Sequence, residues 1–181
     1  MNERGYADGY PQRKYITKEE SSSPIVSLYA LMGSCVIGAL NNRKVITVDI
    51  PGTFLQGDWP QDKHPGYMIF EGIMVEMICK IDSLYYKNVI WSKDCKKKFL
   101  YGCLIKAVYG TLLGAIIFYN KLSKHLTDHG FVQNEYGICT FNKMVNGDQI
   151  VVQFHVDDLK VSQKDEAVLE GFFTDLRDEF V

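Results

Sequence analysis

Apolar and polar positions along this chain fall into short blocks, and the spacing inside each block predicts one element. Ile25, Leu28, Leu31, Met32, Cys35, Val36 and Leu40 recur at helical spacing. Ser23 can cap that helix with Pro24 at its first position, and Asn41-Asn42 ends it. Val45-Ile46-Thr47-Val48 then predicts a strand over 44–50, stopped by Pro51-Gly52. Tyr67-Met68-Ile69-Phe70 reads as a short strand, and Ile73, Met74, Met77, Ile78 and Ile81 suit a helix over 73–81. The polar stretch 86–98 predicts a surface turn, and Phe99 to Val108 a strand or hairpin.

Beyond residue 112 the pattern sharpens. Leu113, Ile116, Ile117, Tyr119, Leu122 and Leu126 make one face of a helix over 112–129, with Gly130 as its stop. Cys139-Thr140-Phe141 leads through Asn146-Gly147, a tight-turn dipeptide, into the apolar run Ile150 to Val156. Asp157-Asp158 makes a second turn, and Leu159 to Ser162 a return strand. Val168, Leu169, Phe172, Phe173, Leu176 and Phe180 form the inward face of a last helix over 164–180, capped by Ser162 or Asp165. Strand runs mixed with helices that can cover a sheet predict an α+β domain, an antiparallel sheet with helices on one face.

Composition narrows the class. Residues 1–22 hold glycines, Pro11 and a Glu-Ser run with little to bury, which predicts a flexible N-terminal segment ahead of one folded unit over 23–181. No internal repeat or second domain is visible. Hydrophobic residues make up 46% and charged residues 23%, as in an ordinary globular domain. A net charge of −2 argues against a self-sufficient nucleic-acid binder. The five cysteines are scattered without a C-x-x-C pair, which points to reduced thiols in a cytoplasmic or nuclear setting. Cys103 and Cys139 read as small core residues. Met1 to Gly5 carry no apolar signal core, and no apolar run approaches the roughly 20 residues that span a bilayer, so no membrane is expected.

The candidate chemistry lies in the aspartates. Asp157 and Asp158 are adjacent carboxylates at the end of an apolar strand, and a divalent cation is the simplest way to offset their charge. Asp49 ends another apolar strand. Two strand-borne acidic clusters are what a two-metal phosphoryl-transfer site needs, with carboxylates clamping two Mg²⁺ ions about 3.5–4 Å apart. Asp157 is expected to face the ions, with Asp158 in support. Other groups read more plainly. Lys96-Lys97-Lys98 is a solvated turn that could touch phosphate. His125 and His129 have zinc-pair spacing without a third ligand. His155 is a strand-surface histidine, and Gly110-x-x-x-Gly114 lacks the Lys-Ser/Thr of a phosphate loop.

Four blocks in order resemble the reverse transcriptase domain of copia-type retrotransposon Pol polyproteins. Ser23-Pro24-Ile25-Val26 is similar to its S-P-V-V entry, and Val48-Asp49 to Gly57 to its D-V-x-x-A-F-L-x-G block. Leu104-Ile105-Lys106-Ala107-Val108-Tyr109-Gly110 resembles L-x-K-A-L-Y-G, and Phe154 to Leu159 its Y-V-D-D-L hairpin. The resemblance implies a right-hand polymerase palm with partial fingers, residues 1–22 being the remnant of the fingers, and no thumb or RNase H region. It implies RNA-directed DNA synthesis by two-Mg²⁺ nucleotidyl transfer to a primer 3′-hydroxyl, with Asp49, Asp157 and Asp158 as catalytic metal ligands. Partners would be an RNA or DNA template-primer, dNTPs and other parts of the Pol polyprotein. Phe54 matches the ribose-sensing position, and Arg4 a substrate-binding group of the fingers. Leu113 and Ile116 stand where the family has Gln and Arg. That departure supports the alternative expectation, a degenerate transposon-derived fragment without polymerase activity.

Overall fold

The computed structural model describes residues 7–63, 65–94 and 96–180. Two antiparallel sheets divide the chain. The larger is built from β1 (Lys44–Asp49), β5 (Val132–Asn134), β6 (Gly137–Val145), β7 (Asp148–His155) and β8 (Asp158–Gln163), in the order β1-β8-β7-β6-β5. The smaller orders β2 (Tyr67–Glu71), β4 (Lys98–Cys103) and β3 (Ile90–Trp91) as β2-β4-β3.

Alternation decides which face of the larger sheet is buried. Ile150, Val152 and Phe154 of β7, Leu159 and Val161 of β8, and Cys139 and Phe141 of β6 point to one side. There α4 (Gly114–Asp128) and α5 (Glu166–Phe180) cover them with Phe118, Leu122, Leu126, Leu169, Phe172, Leu176 and Phe180. Each such side chain contributes about 1.5–3 kcal/mol by leaving water. Asn146 and Gly147 take the positive φ values, 52° and 83°, that a two-residue hairpin turn requires. Asp165 supplies the cap of α5, its carboxylate accepting from the Ala167 amide at 3.0 Å. Gly130 ends α4 at φ 80°.

The opposite face meets α2 (Leu28–Leu40), so the helices do not all gather on one side. Gln153 alternates away from the core into that face. Its amide donates to Ala30 O at 3.1 Å and Thr140 Oγ1 at 3.3 Å, and its Oε1 lies 2.5 Å from Ser34 Oγ. Ser34 also accepts from Lys160 Nζ at 2.6 Å. This polar seam holds a helix whose apolar stripe stays in solvent: Leu28, Met32, Val36 and Leu40 are exposed. The cap is Ser27, which accepts from Ala30 N at 3.1 Å, and not Ser23; the helix starts four residues later than its spacing predicts.

Other differences are local. α3 (Ile73–Ile81) falls where expected, but residues 83–88 form a 3₁₀ turn capped by Asp82 and β3 follows, within the stretch read as a turn. Cys103 is exposed, because its place on β4 puts it on the uncovered face, whereas Cys139 is buried. The amino-terminal segment has its own structure. Tyr10–Lys14 is a 3₁₀ turn, and α1 (Lys18–Ser21) is held by a Thr17–Glu20 capping box. Ile16 is buried in a second cluster with Trp59, Leu104, Ala107 and Leu113. Gln12 Oε1 accepts from Leu112 N at 2.9 Å, and Ala7 N donates to Tyr109 O at 2.6 Å. The segments pass so close that a Cβ on Gly9 would strike the Gly110 carbonyl and one on Gly110 the Ala7 backbone.

Candidate active site

The hairpin between β7 and β8 has only Val156 and Asp157 at its tip, since His155 pairs with Asp158. Val156 sits at φ 58°, while Asp157 is not among the described residues of positive φ, the pattern of a II′ turn. A β-branched residue there carries strain of about 1–2 kcal/mol. The fold holds it by anchoring both sides. Phe154 and Leu159 are buried beneath the turn, and Ile50 N donates to Asp157 O at 3.2 Å.

That last bond ties the hairpin tip to the chain leaving β1. In the β1–β8 ladder Asp49 stands directly opposite Asp158. Directly opposed residues share a sheet face, so both carboxylates emerge on the side away from the core. Asp157 lies at the turn beside them, half-buried, while Asp49 and Asp158 are exposed. The register thus makes Asp158 the direct neighbour of Asp49, and the backbone bond brings in Asp157. Among the described residues no Lys, Arg or His forms an ion pair with any of the three. Like charges opposed on a ladder are unfavourable, and here no protein cation offsets them.

The donor chemistry suits a hard divalent ion. Every donor is a carboxylate oxygen at an open rim, and such an ion takes one or two carboxylates and fills its shell with water and phosphate oxygens. The protein alone does not close a ligand set: among the described residues no three His, Cys, Asp or Glu side chains gather closely enough to hold an ion. Asp49 also borders a surface groove of about 530 Å³ between the end of β1 and α5, which Glu170, Phe173 and Arg177 line.

Phe54 lies on the 3₁₀ turn Thr53–Gln56, entered through Gly52 at φ 64° and pinned where Thr53 Oγ1 donates to Ile50 O at 2.5 Å. Its ring meets Tyr109 edge-on at 4.5 Å between centroids, half-buried between the two larger clusters. Leu113 is buried beside Ile16 and Trp59, and Ile116 is half-buried against the same cluster. The positions for which the resemblance implies Gln and Arg thus pack against an apolar cluster here. Arg4 lies outside the described residues.

Residues away from the aspartates complete the account. The His125 and His129 rings lie 4.1 Å apart between centroids, tilted by 36°, with His129 Nδ1 2.8 Å from His125 O. Burial, and then the neighbouring His129, hold the His125 ring below its usual pKa. Burial pushes the Cys139 thiol up to about 11. Lys98 pairs with Glu76 at 3.1 Å and lies over Trp91, so the lysine run is not uniformly solvated. The sequence reading missed Val156, whose strain has no signal in the residue string, and the Ser34–Gln153–Lys160 seam. Gln153 was visible as the polar break in an apolar strand.

Residues 2–181 match the family model described as reverse transcriptase (RNA-dependent DNA polymerase). No curated protein and no solved structure matches the chain. Among the described residues no helix is long and apolar enough to cross a membrane.

Proposed function

The chain belongs to the reverse transcriptase (RNA-dependent DNA polymerase) family, and on that footing we propose that it is a copia-type polymerase palm that extends a primer on an RNA or DNA template. The observation that carries this reading is the register of Asp49 against Asp158, with Asp157 drawn in by the Ile50 amide and, among the described residues, no ion pair to any of the three. Asp49 and Asp157 would hold two Mg²⁺ ions with Asp158 in support. When bound, such ions lower the charge repulsion between an attacking hydroxyl and a phosphate.

The chain's own residues supply the frame. The Asp49 and Asp158 carboxylates present oxygen donors on one face, and the Ile50–Asp157 bond keeps the hairpin tip from lifting off β1. Phe54, fixed against Tyr109, offers a bulky edge five residues beyond Asp49 that would disfavour a ribose 2′-hydroxyl. The dNTP and the primer end complete what the protein leaves open.

A second reading, a transposon-derived remnant without activity, is favoured by two observations. Leu113 is committed to the core where the resemblance implies Gln, and among the described residues no three carboxylates gather on their own. Primer extension with Mg²⁺ and dNTPs separates the two, with Asp157→Asn as control. Extension by the native chain that the substitution abolishes supports the polymerase. Extension that survives the substitution sinks the metal assignment, and no extension from a folded sample supports the remnant.

A further inference from the structure

The smaller sheet has one covered face and one bare one. Phe70 and Leu100 point toward Val75 and Cys79 of α3. The registers Tyr67↔Cys103, Ile69↔Tyr101, Glu71↔Phe99 and Ile90↔Phe99 put the alternate residues together on the other side. There Tyr67 is 64%, Ile69 53%, Tyr101 52% and Ile90 54% exposed, with Phe99 half-buried between them. An apolar, aromatic row left in water on a sheet marks a surface made to be covered.

Its charge indicates by what. The chain as a whole carries −2, yet residues 87–98 hold five lysines against a single aspartate. That aspartate, Asp94, is occupied by the Ser92 hydroxyl and the Lys96 amide. Glu76 is taken by Lys98, and Asp82 caps the following turn. Among the described residues no carboxylate pairs with Lys87, Lys93, Lys96 or Lys97. Lys93, Lys96 and Lys97 sit on the hairpin that joins β3 to β4, at the Phe99 end of the bare face, which also bears Glu71.

We propose that this face binds a single strand of nucleic acid, bases stacking on Tyr67 and Tyr101 and phosphates meeting the lysine hairpin. Only unpaired bases offer their flat faces to side chains, so a duplex would gain little here. A second copy of the chain could cover the apolar row but would leave the lysines unanswered. Calling the bound strand the template rests on the polymerase reading; the surface does not.

The test is fluorescence anisotropy of labelled oligo-dT and oligo-U on the full chain, across about 50–200 mM salt. Tyr67→Ala with Tyr101→Ala should weaken binding about tenfold or more, from stacking lost at two bases. Lys93→Gln, Lys96→Gln and Lys97→Gln together should flatten the salt slope by about 2, at roughly 0.7 per phosphate contact. Circular dichroism confirms that each variant folds. Unchanged affinity in the tyrosine variant, equal affinity for duplex, or a native dimer that the tyrosine pair dissolves would each overturn the proposal. A native chain that binds through the tyrosines yet never extends a primer retires the polymerase reading and leaves this one standing.

Discussion

The two sheets answer the same physical demand in opposite ways. The larger closes its apolar face under α4 and α5, and its rim bears a strained turn and three carboxylates that form no ion pair among the described residues. The smaller buries only Val75, Cys79 and Leu100 at its centre and leaves apolar side chains exposed on the sheet and on α3, where Ile73 and Met77 face water. Strain and opposed charge persist only where surrounding packing over-determines them. Chemistry that depends on fixed geometry therefore belongs on the first sheet. The second has apolar area to offer a partner and less of its own to hold it rigid.

The contrast can be broken at several points. Asp157→Asn should lower primer extension by about a thousandfold or more, the several kcal/mol that a catalytic ion supplies. A loss no greater than that of the tyrosine pair, measured in the same assay, would erase the functional division between the sheets. Phe141→Ala should cost about 3–5 kcal/mol in urea unfolding, because its site is enclosed by Phe154 and the helices. Leu100→Ala should cost about 2 kcal/mol, near the low end for such truncations, since a thin cluster beside an open face can relax. Equal costs would mean the sheets are packed alike. Val156→Gly should stabilise by about 0.5–1 kcal/mol, releasing the positive-φ strain. Destabilisation instead would show that the Val156 side chain outweighs its backbone.

The smallest effect concerns pH. His125 has its folded pKa lowered by burial, so the unfolded chain binds the proton more readily. Its contribution is present above the unfolded value near 6.5 and is lost as pH falls below that through the lowered folded value. Melting temperature should drop over that acidic window in the native chain and drop less in His125→Gln. Asp128, Asp175 and Glu179 oppose the shift from α4 and α5, which keeps it modest.

The larger sheet was the more legible in the sequence, and for the same reason that it packs well. Its strands alternate, its hairpin carries Asn146-Gly147, and α4 and α5 show a full apolar face. Each local preference agrees with the tertiary fold. Around the smaller sheet local signals were weak. β3 is two residues long, too short for periodicity to register, as is the three-residue β5 at the edge of the larger sheet. The α2 stripe was read as helix, but its spacing could not say that the stripe would stay exposed. Of the candidate site, the strand-end positions of Asp49, Asp157 and Asp158 were legible. The Asp49–Asp158 register was not, because strand pairing over more than a hundred residues leaves no trace in either segment alone.

The close passage of Gly9 beside Gly110 has a consequence for inheritance. A stretch composed like a dispensable tail is fitted to the turn after Tyr109 at the scale of one methyl group. A side chain gained at either glycine would push the strap off Leu112 and draw Ile16 away from Trp59. The passage is thus fixed in its width: Gly9 leaves room for the Gly110 carbonyl, and Gly110 leaves room for the Ala7 backbone, a hundred residues away.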